Sequence, residues 1–139
     1  FRRPTKYFDD DVYAGDMAAE LRKLHKAGVS IQVSGHGQMH GLDKHWEMEL
    51  MGRGGFTPAE ILGFATIQGA KYLNLDTQLG SIEAGKFADL VILGANPLED
   101  IKNTRSIEQV MQNGVLYSGN DAARIWPNPA PAPKLYFKH

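Results

Sequence analysis

At 139 residues the chain is long enough for one domain, and its 42% hydrophobic and 22% charged residues exclude a disordered or fibrous class. A formal charge of -1 at pH 7 leaves no basic surplus to hold a phosphate backbone, so no nucleic-acid partner is expected. With no cysteine, disulfides, thiolate metal sites and cysteine nucleophiles drop out together.

The opening "FRRPTKYFDDD" has no apolar signal-peptide core and no initiator methionine, which leaves open whether it is the natural start. No apolar run approaches the roughly 20 residues that span a bilayer, so no membrane partner is expected. From Tyr13 to Ala27 the apolar residues Tyr13, Met17, Leu21 and Leu24 recur at helical spacing, with "DDD" before them and Gly28 after, which predicts an amphipathic helix. Val29 to Val33 then alternates, with Val29, Ile31 and Val33 on one side, and predicts a strand. After "SGHGQMHG", the run "HWEMELMG" predicts a short helix closed by the "GRGG" glycines.

"TPAE" opens the next helix, with Thr57 at the N-cap, Pro58 at the first helical position and Glu60 completing a capping box. This helix is predicted to run to about Leu73, with Asn74 as a left-handed C-cap. Gly63, Ala65, Gly69 and Ala70 thin one side of it, as if another backbone packed closely there. From Gly80 the pattern turns to β: a turn-rich "GSIEAGK", a buried strand "FADLVIL", a loop "NPLED", and a hairpin in "VMQNGVLY" around the Asn113-Gly114 pair. The stretch "WPNPAPAPKLYFKH" predicts an extended, proline-rich tail. One strand among helices followed by a few terminal strands does not close a core by itself, so further layers are expected to come from elsewhere.

In "GHGQMHG" the last glycine stands one residue too far for a dinucleotide fingerprint, so a phosphate cradle is not expected. His36, His40 and His45 are candidates for metal binding or proton transfer, because neutral imidazole is a metal ligand and titrates near neutrality. Gly35 and Gly37 would let the chain turn sharply around His36 at a strand end. The competing reading is a solvated loop. Glu47 reads as an exposed helix residue, and Asp89 as a carboxylate bonded to a turn.

Taken together, "GGFTPAEILGFAT", "LGSIEAGKFADLVIL" and "NPLEDI" closely resemble the C-terminal part of the amidohydrolase superfamily, in its imidazolonepropionase-like and prolidase-like branch, including forms fused to a TolB-like propeller. The resemblance implies an α/β fold: the C-terminal portion of a TIM-like (β/α) barrel plus strands of the flanking composite β-sandwich. Residues 1–79 would be the barrel end, 80–126 the sandwich strands and 127–139 the tail. A complete barrel takes about 250 residues, so this chain is expected to be a segment of a larger enzyme.

The resemblance further implies hydrolysis of carbon-nitrogen bonds in amides, cyclic amides or dipeptides by water activated on a divalent metal, zinc foremost. Most of the ligands would lie outside the segment, since no H-x-H occurs in it, and the segment alone is not expected to be active. His36 stands where the family carries an aspartate after the last barrel strand, which implies a role as metal ligand or as acid/base. His40, His45 and Glu47 are carried as substrate-side residues. The partners implied are a small amide or peptide substrate and the remainder of the barrel or a second chain. The alternative is a non-catalytic structural module that pairs with another chain.

Overall fold

The computed structural model describes residues 13–35, 39 and 41–134. They fall into two compact units that divide between Ala65 and Thr66.

The first unit holds three helices: α1 (Ala14–Lys26), α2 (Leu42–Arg53) and α3 (Pro58–Ala65). Its core gathers Ala18, Ile31, Val33, Met48, Met51, Phe56, Ile61 and Phe64, all buried. His25 joins this core edge-on to Phe64, with ring centroids 5.0 Å apart, while Phe56 and Phe64 meet at 5.2 Å in the same T-shaped arrangement. α1 and α2 approach so closely that a Cβ on Gly54 would lie 2.4 Å from the Ala18 Cβ.

The side of α1 that packs is not the predicted one. Tyr13, Met17, Leu21 and Leu24 are exposed, and the buried contact is made by Ala18. A helical stripe shows only that some surface must cover it, and none of the described residues does.

The predicted strand from Val29 to Val33 forms no ladder among the described residues. Ile31 and Val33 are buried, as the alternation requires, but Val29 is exposed. The Val33 N–H donates to the Phe64 carbonyl at the end of α3 (3.2 Å), because no described strand runs alongside to accept it.

The capping box forms as expected. The Thr57 N–H and hydroxyl both donate to Glu60 Oε2, at 2.7 and 2.8 Å, and the Glu60 N–H returns a bond to Thr57 Oγ1 at 3.3 Å. The helix it opens does not run unbroken to Leu73. Thr66 leaves helical geometry (φ -128°, ψ -94°), and α4 (Ile67–Tyr72) restarts in the second unit. Nothing among the described residues comes within 4 Å of a Cβ placed on Gly63 or Gly69, whereas close approach does occur at Ala70, whose Cβ would be 2.6 Å from a Cβ on Gly80.

The second unit carries one antiparallel sheet in the order β1 (Leu90–Leu93), β2 (Ile107–Gln112), β3 (Val115–Ser118), β4 (Arg124–Trp126). The predicted hairpin joins β2 to β3, with Asn113 and Gly114 both at positive φ (47° and 79°) as a type I′ turn demands. β1 is shorter than "FADLVIL" and lies at the sheet edge, with Val91 and Ile92 exposed where burial was expected. No described layer covers it. Between β1 and β2, Asp100 caps a 3-10 helix (Ile101–Arg105) by accepting from the Lys102 N–H at 2.9 Å. Where the prolines begin, the chain reverses: Arg124 and Ala130 exchange both backbone hydrogen bonds at 3.0 Å, across a loop with Asn128 at φ 55°.

Candidate functional site

The buried run Ile31 to Val33 ends at Ser34 and Gly35, and α2 sets two carboxylates against that end. Glu47 Oε2 accepts from the Ser34 N–H at 3.1 Å. Asp43 lies one helical turn earlier, and its Oδ1 is 2.8 Å from the point where a Cβ on Gly35 would sit. A side chain at position 35 would therefore displace the Asp43 carboxylate. Asp43 Oδ1 also accepts from the Lys44 N–H (2.9 Å), and Lys44 Nζ donates to the Ala65 carbonyl at the end of α3 (3.3 Å). Met48 and Met51, on the buried side of α2, fix the helix in this position.

His36 and His40 lie outside the described residues. His45 is half-buried on α2, next to Trp46, which is partly exposed. Glu47 is exposed on α2, as expected, yet its carboxylate is bonded to the backbone of Ser34. Reasoning from sequence missed Asp43. The i, i+4 spacing of Asp43 and Glu47 places them on one helix face, but that this face meets Gly35 depends on how the preceding segment packs against α2.

Glu47, Ser34 and Met51 also line an open groove of about 430 Å³, continued by Met17, Leu21 and Leu24 of α1. Ile31 and Leu50 add apolar wall to it, and Ser30 and Gln32 polar wall. Among the described residues no group of three or more His, Asp or Glu comes together as a metal site. The described residues alone therefore do not fit a catalytic metal centre.

Asp89 takes the structural role expected of it. Its Oδ1 accepts from the Asn113 N–H at 2.6 Å and ties the start of β1 to the β2–β3 turn. Lys86 is largely buried and donates to Ser81 Oγ (2.5 Å) and Glu83 Oε1 (3.2 Å), which closes the "GSIEAGK" turn.

A sequence profile of the Amidohydrolase family matches residues 8–117, most of the chain. The chain belongs to the amidohydrolase family. It is 30% identical over 92 residues to an S-triazine hydrolase of Gordonia rubripertincta, covering 58% of this chain and 19% of that protein. It is 33% identical over 101 residues to an ochratoxinase of Aspergillus niger, covering 68% of this chain and 20% of that protein.

Among solved structures, a Xaa-Pro dipeptidase with bound methionine in its active site superposes with a TM-score of 0.67 at 34% identity, over 74% of this chain and 26% of that one. An amidohydrolase from Thermotoga maritima gives 0.60 at 31%, over 71% and 25%. This amidohydrolase chain is thus mixed α/β, is similar to enzymes of the amidohydrolase fold, and spans about a fifth to a quarter of the length of these relatives. No helix among its described residues is long and apolar enough to cross a membrane.

Proposed function

We propose that this chain is the C-terminal portion of a metal-dependent hydrolase that cleaves carbon-nitrogen bonds in amides, cyclic amides or dipeptides. Residues 1–79 supply the end of the barrel, 80–126 strands of the sandwich and 127–139 its tail. One observation carries the reading: in a chain of the amidohydrolase family, the buried run Ile31 to Val33 ends against α2 at Ser34 and Gly35, immediately before His36.

In this reading His36 lies at the reacting end of the barrel, as metal ligand or as the group that moves a proton to the leaving nitrogen. His40, His45 and Glu47 lie on the substrate side of the site. The divalent metal, zinc by resemblance, supplies an activated water when bound, and its remaining ligands come from the rest of the enzyme.

The test is expression of the full-length gene product with zinc and assay against amide and dipeptide substrates, beside the isolated segment. Turnover by the full-length protein and none by the segment is expected. A metal-loaded full-length protein without carbon-nitrogen hydrolysis would overturn the reading.

A second reading, a non-catalytic module that pairs with another chain, draws on the exposed apolar residues of α1 and of the sheet. The upstream sequence separates the two: an H-x-H pair followed by further ligand histidines favours the enzyme, and their absence favours the module.

A further inference from the structure

Glu47 and Asp43 stand one turn apart on α2 and reach two consecutive backbone residues, Ser34 and Gly35. The first takes the Ser34 N–H at 3.1 Å; the second occupies the space that any side chain at position 35 would need. The Ser34 N–H has no ladder partner, since the segment it ends forms no ladder among the described residues. A carboxylate acceptor makes a stronger bond to a backbone N–H than a neutral acceptor does.

We propose that Glu47 is a positioning residue, whose carboxylate fixes the backbone two residues before His36 while Asp43 closes the space over Gly35. This rests on the reading of His36 as ligand or proton carrier. Glu47 thereby acts through the backbone and not by contact with the substrate. Small displacements of a reacting group are costly: about 1 Å of misplacement lowers turnover on the order of 100-fold.

The experiment uses the full-length, metal-loaded enzyme as wild type, Glu47→Ala and Glu47→Gln. Steady-state kinetics on one amide substrate are paired with hydrogen-deuterium exchange over the peptide containing Ser34. In Glu47→Ala, exchange at Ser34 is expected to accelerate about 10-fold or more, as loss of a charge-assisted bond requires. The kcat should fall roughly 10- to 100-fold with KM within about 2-fold. Glu47→Gln keeps a carbonyl oxygen for the Ser34 N–H and should recover most of both losses.

A raised KM with kcat retained would make Glu47 a substrate contact and overturn the proposal. So would unchanged exchange in Glu47→Ala, or faster exchange with unchanged kcat. If the wild type itself is inactive on carbon-nitrogen substrates, the proposed function fails, and the exchange data still decide whether Glu47 holds Ser34.

Discussion

Thr57 and Glu60 satisfy each other's polar groups within four residues, and for that reason they could be read directly from "TPAE". Thr57→Ala should lower stability by about 1 kcal/mol, measured by denaturant titration. The bonds from the Thr57 backbone N–H and hydroxyl hold the Glu60 carboxyl below its ordinary 4.5. A carboxylate with a depressed folded pKa contributes fully above its unfolded value and loses that contribution as pH falls through the folded one. The stability gap between wild type and Glu60→Gln should therefore stay constant from pH 7 down to about pH 5 and shrink below 4.5. A gap that persists at pH 2 would remove the ionised carboxylate from the account. In the proposed function His36 is the residue that takes part in the chemistry. In the full-length enzyme, His36→Ala should lower turnover by about 100-fold or more if the imidazole moves a proton, and unchanged turnover would make it a loop residue.

The three helices α1, α2 and α4 all end in the same way. A residue in the left-handed region, Gly28, Gly55 or Asn74, follows each cap, and the next N–H reaches back to the third-last carbonyl of the helix: Val29 to Leu24 (3.1 Å), Phe56 to Met51 (3.3 Å), Leu75 to Ala70 (2.8 Å). Gly28, the "GRGG" run and Asn74 announce these stops in the sequence, because only glycine and asparagine enter that conformation at low cost. Asn74→Ala is expected to destabilise by about 1 kcal/mol, and Asn74→Gly to be neutral or better. Gly54 is different in kind. It has ordinary φ, and its requirement comes from the Ala18 backbone, 2.5 Å from the Cβ it lacks. Gly54→Ala should cost about 1–3 kcal/mol through overpacking, and a denaturation midpoint unchanged from wild type would sink the claim of a tight α1–α2 crossing. The break at Thr66 had no such announcement, since "LGFATIQGAKYL" contains no proline and reads as one helix.

Across the sheet, Leu90, Met111, Leu116 and Trp126 align in one row and Val91, Val110 and Tyr117 in the next. Paired positions share a face and successive ones alternate, so both faces of the sheet are apolar at its centre. The same surplus appears on α1, where Met17 and Leu24 are at least half exposed. Apolar surface of this extent asks for covering layers, which the proposed barrel and sandwich supply. Leu24→Glu tests this at the scale of the whole molecule. It should change the stability of the isolated segment by no more than about 0.5 kcal/mol, as for an exposed site, and lower that of the full-length enzyme by about 2 kcal/mol or more. Equal, small effects in both would mean that nothing covers α1. By itself the sequence determined the capping box that starts α3, the stops of α1, α2 and α4, the Asn113-Gly114 hairpin and the family, because these rest on bonds among neighbours or on ordered strings of residues. Only the tertiary structure decided that Ala18 and not the apolar stripe of α1 is buried, that the Val29–Val33 run forms no ladder among the described residues, and that α2 braces Ser34 through Glu47. Burial and long-range bonds belong to pairs of surfaces, and no periodicity within one segment names the surface that it will meet.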